Sequence, residues 1–407
     1  MSEAPDPPMS DTPLRVCHLG KYYPPAAGGI ETHVRTLARA QADLGASVRV
    51  LCVNHGGGPT TEEADGPVRV TRFGRAASAL KIDACPGLLG TLRRAGAGAD
   101  VLHLHVPNPT MILALLAVRP VAPVVVTYHS DVIHQRLRAA AFRPLERLAY
   151  RRVKAILPTS PAYPGGSPFL RGYADKIRVL PIGIDVDPYL HPSAADRAEA
   201  ARVRAEHAGG GPLWLCTGRF VYYKGFINAV RALGHVEGRL LMIGDGPNQP
   251  ELRAEARRLG LLDRVTFLGK LPTYLDLLPY YLAADAFWFP SNARSEAFGL
   301  VQVEAMASGC PVINTSIPHS GVPWVSPHEE TGLTVPVDDP AAMAAAARRL
   351  LDEPGLRGRL AAAGRRRAAA EFDHRVMADR SLAIYRAVLS GTTRPRTADP
   401  VLLAPNR

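Results

Sequence analysis

What most narrows the folds open to this 407-residue chain is an alternation. Short β-branched or leucine-rich runs give way to helix-length amphipathic stretches along its whole length, and such a pattern builds βα units around parallel sheets. In the first half strands are predicted at Arg15–Leu19, Ser47–Val53, Val68–Thr71, Val101–Val106, Val124–Tyr128, Ala155–Leu157 and Ile177–Leu180. In the second they are predicted at Leu213–Thr217, Arg239–Ile243, Val265–Leu268, Ala286–Phe289 and Val312–Asn314. A chain this long exceeds what one hydrophobic core usually serves. The expectation is an α/β protein of two Rossmann-like, doubly wound domains, 14–185 and 212–373. Residues 186–211 are expected as a linker holding a charged helix and closed by the flexible Gly209-Gly210-Gly211. A helix at 374–390 is expected to cross back to the first domain, with tails at 1–13 and 391–407.

A hydrophobic fraction of 47% with 21% charged residues belongs to a globular chain, not to a disordered one or a fibre. The longest apolar run, Met111–Val118, is far short of the roughly 20 residues that cross a bilayer, and the acidic, proline-containing start is unlike a signal peptide. Five scattered cysteines, with no C-x-x-C pair, read as buried small side chains in a reducing compartment. A cytoplasmic location is expected. The formal charge of +11 calls for an anionic partner. From His134 to Lys154 the bases Arg136, Arg138, Arg143, Arg147, Arg151, Arg152 and Lys154 face the single acid Glu146. That stretch reads equally as a face for anionic lipid at the inner side of the plasma membrane and as a solvated helix.

The most informative segment runs from Ser295 to Pro311. It follows the predicted strand Ala286–Phe289 and reads as a loop, a helix and a Gly309 stop, so the helix starts at the carboxyl edge of the sheet, where ligands bind. The amides of Phe298, Gly299 and Leu300, with the positive end of the helix dipole, suit a diphosphate. Glu296 and Glu304 are too far apart along the helix to be a close acid–base pair, but each carboxylate can accept two hydroxyls. Glu296 fits sugar hydroxyls and Glu304 the ribose hydroxyls of a nucleotide.

With this segment the chain resembles the retaining glycosyltransferases of the GT-B fold, in particular glycosyltransferase family 4, whose E-x7-E motif is matched by Glu296 and Glu304. The resemblance extends from about Arg15 to Leu389. It implies two Rossmann-like domains facing across a cleft. It also implies that Gly218-Arg219 and Lys224-Gly225 open the second domain, with Arg219 and Lys224 gripping the diphosphate whose charge grows as the glycosidic bond breaks. No metal and no cofactor is then expected, the nucleotide sugar being a co-substrate. Gly28 and Gly29 match the loop that faces the donor phosphates and the acceptor, with Glu31 capping the helix that follows. His129, at the end of the strand Val124–Tyr128, matches a histidine that contacts the transferred sugar. Gly244 and Asp245 match a turn beside the nucleotide, and the segment from Leu268 to Lys270 borders the base.

Other patterns are set aside. Asp185-Val186-Asp187 imitates a metal-binding D-x-D but lies in the turn that ends the first domain. His103 and His105 alternate on one strand, with no third metal ligand evident in sequence. The expected activity is transfer of a hexose, with retention, from GDP-mannose or a UDP-sugar to a glycan or lipid-linked acceptor in bacterial polysaccharide assembly. The alternatives are a nucleotide-sugar epimerase of the same fold and an inactive nucleotide-sugar-binding scaffold. A nicotinamide-binding oxidoreductase would need a G-x-G-x-x-G that Gly28-Gly29 does not supply. A nucleic-acid partner is not expected, since no aromatic interleaving accompanies the charge.

Overall fold

The computed structural model describes residues 12–131 and 136–392. The outer parts of both expected tails, and His134 in the basic stretch, lie outside these described residues.

The described chain forms two compact units. Residues 12–127, 137–155 and 378–392 make the first, and 128–131, 136 and 156–377 the second. The first contains a seven-stranded sheet built from β1 (Arg15–Leu19), β2 (Ser47–Val53), β3 (Thr61–Asp65), β4 (Val68–Phe73), β7 (Val101–Val106), β8 (Val124–Tyr128) and β9 (Val153–Pro158), whose end runs into the second unit. The short pair β5 (Ala77–Ala79) and β6 (Ile82–Ala84) forms a separate antiparallel ribbon. The sheet order is β3-β4-β2-β1-β7-β8-β9. The second unit has β10 (Leu213–Thr217), β11 (Arg239–Ile243), β12 (Val265–Gly269), β13 (Ala286–Trp288), β14 (Val312–Thr315) and β15 (Gly332–Val335), in the order β12-β11-β10-β13-β14-β15. Every pairing in that second sheet is parallel.

Strand periodicity shows directly in the core of the second unit. Leu213, Leu215, Leu241, Ile243, Phe287 and Phe289 pack on one face of the sheet. The residues between them, Trp214, Cys216, Leu240, Met242, Ala286 and Trp288, pack on the other. Helices cover both faces, which is why these strands read as unbroken apolar runs. Trp214 and Trp288 stack with centroids 5.2 Å apart.

Several expectations are corrected. Ile177–Leu180 is not a strand: it follows a 3-10 turn, Leu170–Lys176, and runs beside β9 through one isolated bridge, Ile156 to Ile177. Arg178 there turns its guanidinium onto the carbonyls of Asp175 and Ile177, and Pro181 follows. Segment 186–211 holds the helices Asp187–Leu190 and Ala194–His207. Tyr189, Ala200 and Val203 from this segment are buried in the second unit's core. The charged edge strand β3, the ribbon and β15 were not foreseen. The helix His374–Leu389 contributes its residues from Ala378 onward to the first unit, where Gln41 Nε2 donates to Ser381 Oγ at 2.7 Å and to Tyr385 Oη at 3.0 Å.

Candidate active site

The candidate site follows from the sheet order of the second unit. β10 lies between β11 and β13, so the chain leaves β10 to one side and later returns to the other. The loops at the carboxyl ends of β10 and β13 meet at this reversal, the position at which open α/β sheets bind ligands. Gly218 to Gly225 follow β10; Phe289 to Gly299 and the helix Leu300–Ser308 follow β13.

Across this reversal Lys224 Nζ lies 2.6 Å from Glu296 Oε2, with side chains 14% and 11% exposed. Ser291 donates its hydroxyl to the same oxygen at 3.4 Å, and the ammonium sits 5.0 Å from the centre of the Phe289 ring. The Glu296 backbone is held from β14's side: Ser320 Oγ donates to the Glu296 carbonyl at 2.5 Å and Gly321 N–H to that of Ala297 at 2.9 Å. Two helical turns on, Glu304 points into the protein. Its Oε2 accepts the Tyr281 hydroxyl at 2.9 Å, and Thr217 Oγ1, at the end of β10, lies 3.4 Å from that same hydroxyl. Burial pushes the Glu304 carboxyl up to about 7, with the Tyr281 hydrogen bond and the charge of Lys224 pulling the other way. Lys224 therefore touches one carboxylate and exerts its field on the other.

Two glycines make this packing feasible. Gly225 has φ 61°, and a methyl there would lie 2.1 Å from the Pro290 carbonyl oxygen. Gly244 has φ 145°, and a methyl there would lie 1.9 Å from the Gly218 carbonyl oxygen. The loop after β10 is thus pressed against backbone on both sides, which fixes where Lys224 starts from. Asp245 is exposed and structural: its carboxylate accepts Gly246 N–H at 2.7 Å and its carbonyl accepts Phe220 N–H at 2.8 Å. Arg219 is exposed on the same loop. The Phe298 side chain is core, edge-on to Phe372, so only its backbone is available to a ligand; Gly299 and Leu300 begin the helix.

The other predicted residues lie on other elements. His129 follows β8, is 8% exposed, and burial pushes its pKa down to about 3, so the ring is neutral at neutral pH. Gly28 and Gly29 belong to the first unit, at the start of the helix Gly29–Asp43. A methyl on Gly28 would lie 2.1 Å from Glu31 Oε2, so that carboxylate is folded over the helix start, where an anion would otherwise sit. Tyr281 and Thr217 were missed, since nothing in their local sequence marks them.

His18 supplies the third histidine beside His103 and His105, and all three are buried with ligand atoms within 4.8 Å of one another. Hydrogen bonds already use these nitrogens. Ser381 donates its hydroxyl to Ala378 O, so it accepts from Gln41 Nε2, which turns Gln41 Oε1 toward His18 Nε2 at 2.8 Å. His18 Nδ1 then accepts from His105 Nε2 at 3.0 Å. Tyr385 donates to His103 Nδ1 at 2.5 Å, leaving His103 Nε2 to donate to Thr127 Oγ1 at 2.7 Å. A neutral, proton-ordered chain of hydrogen bonds runs through His18, His103 and His105. In the acidic pair set aside above, Asp185 accepts the Asp187 N–H and Asp187 pairs with Arg375.

Two family models match successive parts of the chain. Residues 28–183 match the family described as glycosyl transferase 4-like domain, and residues 198–367 match glycosyl transferases group 1. The D-rhamnosyltransferase WbpZ of Pseudomonas aeruginosa is 34% identical over 350 residues, covering 84% of this chain and 87% of that protein. The O-antigen chain mannosyltransferase C of Escherichia coli is 29% identical over 382 residues, covering 92% and 99%. The crystal structure of Anabaena HepE in complex with UDP superposes with a TM-score of 0.73 at 20% identity, covering 92% of this chain and all of that one.

Proposed function

We propose, from the premise that the chain belongs to the glycosyl transferases group 1 family and is a glycosyltransferase of GT-B fold, that it transfers a hexose with retention from a nucleoside diphosphate to a glycan or lipid-linked acceptor in bacterial glycan assembly. The observation that carries this reading is the placement of Lys224 against Glu296 and within the field of Glu304, at the carboxyl ends of β10 and β13.

In this reading the diphosphate takes over Lys224, with Arg219 and the helix-start amides of Gly299 and Leu300 around it. Glu296 is then released to accept sugar hydroxyls, and Glu304 accepts the ribose diol. As the bond to the β-phosphate lengthens, charge builds on the leaving diphosphate, and two fixed cations stabilise it without a metal. The acceptor hydroxyl attacks from the face the phosphate is leaving and passes its proton to a phosphate oxygen. His129, neutral through burial, donates or accepts a hydrogen bond to the sugar without adding charge. GDP-mannose and UDP-sugars are the donors to try first, given the mannosyltransferase among the relatives and UDP in the superposing structure.

The test is a thermal-shift panel of GDP, UDP, ADP and dTDP on the wild type, Lys224→Ala and Glu304→Ala. One nucleoside diphosphate is expected to raise the wild-type melting temperature and neither variant's. Stabilisation of all three alike would remove the assignment. Product anomers read by NMR decide retention.

No described helix is long and apolar enough to cross a membrane. The helix Arg136–Arg151 does expose Leu145 and Leu148 beside Arg147 and Arg151, with Arg152 and Lys154 just beyond. This face suits peripheral contact with anionic lipid, the place to meet a lipid-linked acceptor. Co-sedimentation with phosphatidylglycerol vesicles, lost on Leu148→Glu, checks it.

A further inference from the structure

Asp131 and Arg294 form an ion pair of 2.8 Å whose side chains are 10% and 21% exposed. Asp131 lies two residues beyond His129, and Arg294 two before Glu296. The carboxylate is saturated. Beyond Arg294 it accepts the hydroxyls of Tyr128 at 2.6 Å, Ser167 at 2.9 Å and Tyr163 at 3.4 Å, while its own N–H donates to Tyr163 Oη at 2.7 Å. A carboxylate has about four acceptor positions, so none is left for a ligand. Arg294 is equally committed. It stacks 4.4 Å from the centre of the Tyr163 ring and donates to the carbonyls of Tyr163 and His319. Gly166 admits this guanidinium: a methyl there would lie 2.8 Å from Arg294 Nε.

These two groups contact only protein, yet they join the backbone that carries His129 to the backbone that carries Glu296. We infer that Asp131 and Arg294 are positioning residues that set the His129 loop and the Glu296 loop against each other, and so define the space for the transferred sugar. The inference rests on the proposed reading that those two side chains hold the sugar. A planar guanidinium suits this task, because it fixes orientation as well as distance. A loop displaced by an ångström loses hydrogen bonds to a ligand it still surrounds.

The experiment compares binding of GDP with GDP-mannose, and of UDP with UDP-glucose, by calorimetry on the wild type, Arg294→Ala, Asp131→Asn and the double variant. Each single substitution is expected to weaken the sugar nucleotide ~tenfold and the free nucleotide less than ~twofold. The double variant should lose no more than the worse single, because either change breaks the same link. Equal weakening of nucleotide and sugar nucleotide, or no weakening of either, overturns the inference. Hydrogen exchange on the free variants provides the second readout. Segments 128–131 and 291–297 should lose protection together in either variant while 213–217 keeps its own; loss in one segment alone overturns the coupling. If the wild type binds no nucleotide, the functional reading fails, and hydrogen exchange still decides whether the loops are coupled.

Discussion

At the scale of single residues, Glu304 makes the clearest claim. Its carboxyl is held near neutrality by burial, so around pH 7 it is divided between an acid and a carboxylate. The carboxylate accepts both hydroxyls of a diol on two oxygens, whereas the acid gives up one of them as a donor. Nucleoside diphosphate affinity is therefore expected to rise as pH increases from 6 through about 7 to 8, and Glu304→Gln should flatten that rise; calorimetry across this range reads it. Gly244 gives a second test. Gly244→Ala puts a methyl where the Gly218 carbonyl stands, which displaces the loop bearing Arg219 and Lys224. Nucleotide binding should fall by at least ~tenfold, with a stability loss of about 1–3 kcal/mol measured by urea denaturation. Both partners of the Lys224–Glu296 contact were singled out in sequence. Glu296 and Glu304 stand out at a strand-to-helix junction, and Lys224 through the resemblance of Lys224-Gly225 to the family's motif. Tyr281 was invisible: it reaches Glu304 through the order of strands, and no local pattern encodes that. Asp131 stood beside a flagged histidine, but its partner Arg294 lies 163 positions away.

At the scale of elements, most apolar strands were legible, but the short buried β15 and the charged edge were not. β1, β2, β7, β8, β10 and β11 fall where their β-branched and leucine runs put them, because burial on both faces leaves one kind of side chain along the strand. β3 reads Thr-Glu-Glu-Ala-Asp and is an antiparallel edge, where charge is an asset against unwanted pairing. Its work is done by its last residue. Asp65 accepts the Tyr23 hydroxyl at 2.7 Å and pairs with Arg35 at 2.8 Å and Arg39 at 2.6 Å. The edge strand thereby holds the loop after β1 and the helix that begins at Gly29. Asp65 is 15% exposed but both arginines are more than 40% exposed, so solvent screens much of the attraction. Asp65→Asn is expected to cost about 1–2 kcal/mol by chemical denaturation, below the cost of breaking a fully buried pair. A change under ~0.3 kcal/mol would mean that β3 merely lies against the loop.

At the scale of the whole molecule, the two units should respond to acid through different histidines. In the first unit the chain from His105 through His18, Gln41, Tyr385 and His103 to Thr127 ties β1, β7 and β8 to the closing helix by hydrogen bonds that require neutral rings. Burial pushes His18 down to about 4. In the unfolded chain the same ring takes up a proton near its ordinary value of about 6.5. Between these values the unfolded state binds the extra proton, so stability is intact above about 6.5 and falls as pH drops toward 4, by roughly 1.4 kcal/mol per pH unit for this one group. His129 in the second unit follows the same sign over a window reaching about 3. Calorimetric scans between pH 7.5 and 5 are therefore expected to show falling melting temperatures. His18→Gln retains a donor and an acceptor but cannot titrate. It should start lower at pH 7.5 through imperfect packing, then lose less on acidification in the transition that melts the first unit, while the second unit's acid response is unchanged. Parallel pH slopes for wild type and variant in that first transition would show that protonation of the buried chain is not what acid acts on.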